Sequence, residues 1–206
     1  MISYQSELAP DLAIPILLDL LKDDAAVRSH AAESLGKLGN ASDSVVNGLL
    51  ALLKDDDSAV RSYAAESLGK LGNASDSVVN GLLTLLKDED SVVRSFAAAS
   101  LGELNSASDA VVNVLLALLK DEDSDVRSRA AASLGELNSA SNEVVIALLA
   151  LLKDKNEAVS YHVAESLVML GKQSELIKPT LVEWIEQHKD EAFVGNGVDV
   201  LWALAN

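Results

Sequence analysis

A short phrase recurs along this chain at a fixed interval of 33 residues. Its most regular residue is an arginine at positions Arg28, Arg61, Arg94 and Arg127, and each arginine precedes a serine, one variable residue and two alanines. A constant period of this length is typical of proteins built from stacked helical units. The period therefore predicts a repeat fold whose function depends on the surface that the stack presents.

Each unit is predicted to be a pair of helices, as residues 42–72 illustrate. Ser42 and Asp43 are N-cap candidates for a first helix, whose apolar residues follow at helical spacing. Asp57 lies in an acidic turn and is a good N-cap for a second helix, because a carboxylate complements the positive helix N-terminus. Gly72 ends the second helix, which is consistent with a left-handed residue at that position.

The same pattern predicts six helix pairs in a single array over residues 1–206. The units are expected at residues 1–39, 40–72, 73–105, 106–138, 139–171 and 172–206. The first helices are expected near 11–22, 43–54, 76–87, 109–120, 142–153 and 175–188. The second helices are expected near 25–38, 58–71, 91–104, 124–137, 157–170 and 192–205. Because the loops are short and polar, neighbouring helices should run antiparallel.

Composition excludes several classes of function. The formal net charge of −16 opposes binding to nucleic acid and to anionic membrane surfaces, and it favours a basic partner. The absence of cysteine excludes a disulfide scaffold and a thiol nucleophile. The start of the chain lacks a basic region followed by a long apolar segment, so no signal peptide is expected and the predicted location is cytoplasmic.

No catalytic, metal or cofactor site is predicted, and the chain is not expected to be an enzyme. Each Gly-Lys pair is followed by Leu or Gln, which excludes a phosphate-binding P-loop. His30 and His162 occupy equivalent positions in distant units and cannot share a metal ion. The acidic turns lack the spacing and the glycine of a calcium loop and are interpreted as helix caps. The repeated serines have no histidine at matching spacing.

The repeated arginine is predicted to hold neighbouring units together. Arg61 follows a core valine and lies close in sequence to acidic turns. Since a guanidinium donates two parallel hydrogen bonds to one carboxylate, a ladder of Arg–Asp contacts is expected between units. The expected acceptors are Asp23, Asp55, Asp88, Asp121 and Asp154. A phosphate site is the alternative interpretation of these arginines.

The recurring phrase D-x-x-V-R-x-x-A-A-x-x-L-G-x-L resembles the short HEAT repeats first noted in phycobilisome lyases. The phrase matches residues 24–38, 57–71, 90–104 and 123–137 well. It is degraded at 156–170, and only traces of it remain at 191–204. Ser160 replaces the arginine in the degraded copy. The tandem copies are also similar to the sensor arrays of bacterial multidomain signalling NTPases.

The resemblance implies an all-α, right-handed HEAT-type α-solenoid with the second helices on the concave side. It also implies a scaffold that binds other proteins. A bilin lyase subunit is the rival from the enzyme class, and a purely structural or idealised spacer is another. A HEAT-type DNA glycosylase would need a channel lined by Lys and Arg, and the acidic residues of the second helices argue against one.

Near-identical copies within the chain indicate where the partner binds. Residues 41–73 and 74–106 match at 25 of 33 positions, and the differences in the second helix fall in four columns at i, i+4, i+7 and i+11. Such spacing places the columns on one helix face, here called the variable stripe. The simpler explanation of these differences is sequence drift at exposed positions that tolerate change. Aromatic residues and arginine favour an interface, so the stripe is predicted to bind a protein or peptide through His30, Glu33, Lys37, Tyr63, Glu66, Lys70, Phe96, Glu103, Arg129, Glu136, His162 and Glu165.

Both ends of the chain depart from the repeat. The first unit contains Pro10 and Pro15, and the last contains Pro179, Trp184 and Trp202. Terminal units usually differ because one face meets solvent. The apolar last helix has two interpretations: it caps the stack, or the natural array continues beyond it. Exposed terminal helices also predict a weak end-to-end homodimer.

Overall fold

The computed structural model describes residues 10–206, and all of its regular secondary structure in that range is helical. The helices form six consecutive pairs, as the sequence predicts. They are α1 (Pro10–Leu20), α2 (Ala25–Leu38), α3 (Asp43–Leu52), α4 (Ser58–Leu71), α5 (Asp76–Leu85), α6 (Ser91–Glu103), α7 (Asp109–Leu118), α8 (Ser124–Glu136), α9 (Asn142–Leu151), α10 (Glu157–Gly171), α11 (Ile177–Gln187) and α12 (Val194–Ala205).

The predicted bounds are close for the second helices and too long for the first. The helix α3 ends at Leu52, two residues before the predicted end, and α5, α7 and α9 do the same. The reason is local: the Lys54 N–H donates to the Ala51 carbonyl three residues back, so the chain leaves the α-helix through a tighter turn. The last helix α12 begins two residues later than predicted.

In each of the first five pairs, an N-cap side chain accepts a backbone hydrogen bond at the start of the second helix. Asp57 accepts hydrogen bonds from the backbone N–H groups of Ala59 (2.9 Å) and Val60 (3.3 Å), as predicted. Ser42 stands at the N-cap position of α3, but its side chain makes no capping bond. Gly72 ends α4 in the left-handed region at φ 67°, also as predicted. The equivalent position after α6 is Asn105, a residue that tolerates this conformation at φ 50°.

The helices form two rows with an apolar core between them. The even-numbered helices α2 to α10 pack on one another in succession, and each of these helices also packs on its odd-numbered partner. Val60, Leu68 and Leu49 have no measurable exposure and lie in this core. Each helix therefore contacts only its own pair and the neighbouring units, which is the contact pattern of a repeat stack.

Serine and glycine set the spacing within the even-numbered row. The Ser67 hydroxyl donates a buried 2.8 Å hydrogen bond to the carbonyl of Ala32 in the preceding even-numbered helix. A Cβ atom added at Gly36 would lie 2.8 Å from the Ser67 Cα atom, so only glycine allows this close approach. The same hydrogen bond recurs in the next three units, from Ser100 to Ala65, Ser133 to Ala98, and Ser166 to Ala131.

The predicted arginine ladder is present. Arg61 donates from Nε and Nη2 to the two carboxylate oxygens of Asp88, each at 2.8 Å, and from Nη1 to the carbonyls of Asp55 and Asp56. The hydrogen bond to Asp88 raises the pKa of Arg61. Three further pairs have this geometry, namely Arg28–Asp55, Arg94–Asp121 and Arg127–Asp154.

The prediction that the Asp23 carboxylate accepts from an arginine of the ladder is wrong. The backbone carbonyl of Asp23 accepts a 2.7 Å hydrogen bond from Arg28, and the Asp23 carboxylate accepts one from the backbone N–H of Asp24. Within residues 10–206 no arginine side chain donates to that carboxylate. The ladder ends at Asp154, because Ser160 stands in place of the next arginine and donates to the carbonyl of Glu157.

Different contacts hold the last helix pair. The Asn196 side chain donates a 2.7 Å hydrogen bond to the carbonyl of Leu152. Trp184 stacks on His188 with ring centroids 4.5 Å apart and packs against Gly197. This aromatic cluster packs α11 against α12 within the last pair.

Candidate functional site

The twelve residues of the predicted site are all at least partly exposed. Their neighbours on the same helices, such as Ala64 and Ala65, have no measurable exposure. The residues that differ between copies therefore lie on one open side of the even-numbered row. Partly exposed members are Glu33, Tyr63, Glu66, Phe96 and His162, and more exposed members are His30, Lys37, Lys70, Glu103, Arg129, Glu136 and Glu165.

The middle of the variable stripe forms a cavity of about 410 Å³, here called the central cavity. It brings together five of the predicted residues from α4, α6, α8 and α10, which are Glu66, Phe96, Glu103, Arg129 and His162. Sequence reasoning missed Ser95 and Ser128, which also line it. Serine stands at this position in all four regular copies, so comparison of the copies gives no signal for it.

A second and larger cavity lies between α8, α10 and α12, with a volume of about 1170 Å³, and is here called the C-terminal cavity. Four predicted residues line it, namely Arg129, Glu136, His162 and Glu165. The sequence did not indicate Phe193, Asn196 or Asp199, which come from the irregular last unit. Five predicted residues on α2 and α4 line neither cavity, namely His30, Glu33, Lys37, Tyr63 and Lys70.

Charges neutralise one another in the first two units of the stripe. Lys37 and Glu33 form an ion pair at 2.6 Å, and Lys70 and Glu66 form one at 2.7 Å, each across one helical turn. The hydrogen bond from Lys37 lowers the pKa of Glu33. These exposed pairs leave little net charge on this part of the stripe.

The third and fourth units carry unbalanced carboxylates at the same place. Alanine replaces the glutamate and glutamate replaces the lysine, so Glu103 and Glu136 have no ion pair within residues 10–206. Burial against the neighbouring helix raises the pKa of Glu136, Glu103 raises it further, and Arg129 opposes the shift. Burial likewise raises the pKa of Glu103. The stripe therefore changes from neutral to acidic along the array.

His162 and Glu165 belong to a small polar group on α10. The Tyr161 hydroxyl donates to Glu165 at 2.9 Å, and His162 Nδ1 lies 3.3 Å from the same carboxylate. The Tyr161 and His162 rings meet edge to face at a centroid distance of 5.4 Å. This arrangement fixes two aromatic rings at the boundary between the two cavities.

No group of three or more His, Asp or Glu residues in the range 10–206 is placed to hold a metal ion. Over the same range, no helix is both long enough and apolar enough to span a membrane. The chemistry that the stripe offers is therefore hydrogen bonding, charge and aromatic contact at a surface.

Stacked helix pairs with a two-row core define an α-solenoid repeat protein. The HEAT-repeat family matches residues 46–134, 79–167 and 112–194, and the chain belongs to this family. The fold class and the resemblance predicted from the sequence are thereby confirmed. A search of curated proteins finds no match.

Solved structures agree with this class. An engineered protein superimposes with a TM-score of 0.66 at 24% identity, over 93% of this chain and 96% of that chain. A designed armadillo repeat protein in complex with the peptide (KR)4 gives 0.64 at 18% identity, over 93% and 99%. The complex of CpcE and CpcF of phycocyanin lyase from Nostoc sp. PCC7120 contributes a chain that gives 0.59 at 22% identity, over 75% and 97%. The likeness is one of fold, an all-α solenoid of the HEAT and armadillo type.

Proposed function

We propose that this protein is a non-enzymatic scaffold that binds a protein or peptide through the variable stripe. One observation carries the proposal: residues of the second helices that differ between near-identical copies lie together on an open surface, and seven of the twelve predicted ones line two cavities. On the same helices Ala64, Ala65 and Leu68, which are identical in the next two copies, are buried. Phe96 and Arg129 offer the side-chain types that contribute most to interfaces.

The contacts between units support rigid recognition. Each bidentate Arg–Asp pair and each buried serine hydrogen bond joins one unit to the next. A surface held in this way loses little conformational entropy when a partner binds, so more of the contact energy appears as affinity. The same contacts support a single array of units, which we include in the proposal.

The partner that fits best is a basic protein segment. The acidic half of the stripe carries Glu103 and Glu136 without paired cations, and the whole chain has a net charge of −16. A basic partner gains favourable electrostatic energy on approach, and nucleic acid is repelled. The designed armadillo neighbour is in complex with the basic peptide (KR)4, which is consistent with this chemistry on a related fold.

Affinity capture from the native host tests the proposal. The bait proteins are the unchanged chain and a variant with Tyr63→Ala, Phe96→Ala and Arg129→Ala. A matched control carries Asn47→Ala, Asn80→Ala and Asn113→Ala, which change three exposed residues on the odd-numbered row. We expect a specific partner to be captured by the unchanged chain and by the control, and to be lost from the stripe variant. Equal capture by all three baits would contradict the stripe as the binding surface.

The two rivals make different predictions. A purely structural spacer captures no specific partner at all. A bilin lyase subunit would transfer pigment when the protein is incubated with bilin and a phycobiliprotein, and such transfer would overturn the non-enzymatic proposal. The likeness to the phycocyanin lyase chain concerns the fold.

A weak end-to-end homodimer is a further part of the proposal. The last helix exposes 71% of Trp202 and 47% of Val198, which stand one turn apart on the side of α12 opposite its buried residues. Sedimentation velocity should then show a concentration-dependent dimer that Trp202→Ser abolishes. A strictly monomeric protein at all concentrations would refute the dimer and leave the scaffold proposal standing.

A further inference from the structure

The C-terminal cavity exists because the regular contact between even-numbered helices stops at α10. Val168 stands 33 residues after Gly135, at the position where the earlier units have glycine. Asp199 stands 33 residues after Ser166, at the position of the serine that contacts the preceding helix. A valine side chain occupies the space that glycine leaves open, so α12 cannot approach α10 as closely as α10 approaches α8.

The gap between α10 and α12 is held open by defined contacts at both of its ends. At one end the Asn196 side chain donates to the carbonyl of Leu152 at 2.7 Å. At the other end Gly171 packs so closely on Leu204 that an added Cβ would lie 2.5 Å from a leucine methyl group. Because both ends of α12 are attached, the cavity between them is a preformed feature of the fold.

The cavity combines an apolar floor with an acidic rim. The floor contains Ala164, Val168, Met169, Phe193 and Val200. Met169 is exposed to 45% of its surface, so a flexible apolar side chain is available for contact with a ligand. The rim carries the exposed carboxylates Glu157 and Asp199, whereas Glu136 also lines the cavity but places its Oε2 atom against Gly102 of α6.

Cations are few around this rim. Arg129 is the one arginine or lysine that lines the cavity within the described residues, and Asp154 is already paired with Arg127. Glu165 is engaged by Tyr161 and His162. Glu157 and Asp199 are exposed and form no side-chain hydrogen bond or ion pair inside residues 10–206, so their negative charge is not neutralised by a neighbouring cation there.

We propose that the C-terminal cavity binds a cationic amphipathic peptide segment, with a large apolar side chain on the floor and flanking Lys or Arg side chains on the rim. This inference rests on the proposed scaffold function and assigns the partner's chemistry at one end of the stripe. An apolar side chain gains free energy by leaving water for the floor, and its cationic neighbours meet Glu157 and Asp199. The central cavity, at about 410 Å³, has roughly a third of the volume.

The first test uses synthetic peptides and isothermal titration calorimetry. The probe has a Leu-Phe centre flanked on each side by two lysines; one control peptide replaces the lysines by glutamate, and another replaces Leu-Phe by Ser-Ser. We expect the probe to bind and neither control peptide to bind, and we expect the probe to bind about tenfold more weakly to the variant Glu157→Gln, Asp199→Asn. The matched variant Glu183→Gln, Glu186→Gln removes the same charge from α11 and should bind within about twofold of the unchanged chain.

A steric pair of variants tests the location. Ala203→Trp places a large ring in the cavity, whereas Ala205→Trp places the same ring at an exposed position outside it. We expect the first variant to lose about tenfold in affinity and the second to keep it, with thermal melting showing that both are folded. Amide NMR shifts on peptide addition should appear in α10 and α12.

Several results would overturn the inference. One is equal binding of the acidic control peptide, another is equal affinity in both tryptophan variants, and a third is no measurable binding at about 1 mM peptide. Peptide-induced shifts confined to α4 and α6 would also overturn it while leaving the scaffold proposal intact. A different result would contradict the scaffold proposal, namely the absence of any stripe-dependent partner in affinity capture.

Discussion

Glycine in the middle of a helix normally lowers helix stability by about 1 kcal/mol relative to alanine. Gly36, Gly69, Gly102 and Gly135 nevertheless occupy equivalent positions in four successive even-numbered helices. At Gly135 an added Cβ would lie 2.8 Å from the Ser166 Cβ and 2.9 Å from its Cα, which belongs to the backbone and cannot move alone. Close packing of α8 on α10 therefore outweighs helix propensity at this residue.

We predict that Gly135→Ala destabilises the protein by about 1–2 kcal/mol, because overpacking against a backbone exceeds the gain in helix propensity. The matched control is Gly195→Ala in α12, where an added Cβ meets nothing within 4 Å. The control should raise stability by a few tenths up to about 1 kcal/mol. Urea unfolding measures both changes, and a Gly135→Ala protein at least as stable as the unchanged chain would rule out the packing explanation.

The two glutamates of the acidic half of the stripe give stability a pH dependence of known sign. Burial raises the pKa values of Glu103 and Glu136 above the ordinary 4.5, so the folded chain binds more protons than the unfolded chain just above that pH. Stability contributed at these sites is therefore lost as the pH rises from 4.5 through the raised values. The double variant Glu103→Gln, Glu136→Gln should be more stable than the unchanged chain at pH 7, with the advantage shrinking towards pH 4.5.

Glu33→Gln is the opposite case on the same stripe. The hydrogen bond from Lys37 lowers the pKa of Glu33, so its contribution is present above the ordinary 4.5 and is lost as the pH falls through the lowered value. This variant should be slightly less stable than the unchanged chain at pH 7. Urea unfolding at a series of pH values compares the two variants, and a change of the same sign in both would contradict the assignment of the shifts.

At the scale of single helices, the acidic turns act as caps. The Asp90 carboxylate accepts the Val92 N–H at 2.8 Å at the start of α6. Hydrogen bonding from Ser58, followed by that from Val92, lowers the pKa of Asp90. The neighbouring Glu89 is exposed and contributes only its backbone carbonyl, to Arg94.

We therefore predict that Asp90→Ala costs about 1 kcal/mol of stability, the usual loss for an N-cap, and that Glu89→Ala stays within about 0.5 kcal/mol of the unchanged chain. Thermal unfolding followed by circular dichroism compares the two. Equal losses from both substitutions would show that charge in the turn matters more than the capping hydrogen bond.

The helices and their caps could be predicted from the sequence because these features depend on nearby residues. The Asp57 cap and the helix end at Gly72 follow from local rules, and the pairing of Arg61 with Asp88 follows from a charge pattern repeated at a fixed period. The serine–glycine contact was not predictable in detail, because it depends on the distance between two helices. Ser67 is visible in the sequence only as one of the repeated serines, and the structure shows its hydrogen bond to Ala32.

The two cavities also differ in how far the sequence could predict them. Comparison of the copies located five residues of the central cavity, since variation is visible wherever the period holds. The C-terminal cavity lies where the period is degraded: Phe193 and Asp199 stand 33 residues after Ser160 and Ser166, but the residue types no longer match. Its shape follows from the replacement of glycine by Val168, whose consequence appears only when α12 is placed against α10.

On the scale of the whole molecule, stability should be distributed almost evenly along the stack. Each internal interface repeats the same two contacts, a bidentate Arg–Asp pair and a serine–carbonyl hydrogen bond. Repeat proteins of this kind have a stability close to the sum of unit and nearest-neighbour terms. Removing one internal unit should therefore shorten the stack without changing the remaining contacts.

Deletion of residues 74–106 tests this directly, because it removes one period and joins Asn73 to Ala107 in a sequence nearly identical to the original junction. In the shortened chain Arg61 meets Asp121 in place of Asp88, and Ser133 meets the carbonyl of Ala65 in place of Ala98. We predict an unchanged helix content per residue and a single cooperative unfolding transition at a lower temperature. Deletion of residues 74–103 is the control, since it shifts the repeat by three residues and separates these partners. The shortened chain should keep its ordered tertiary structure and the control should lose it, whereas equal disruption in both would mean that the units are not interchangeable parts of one array.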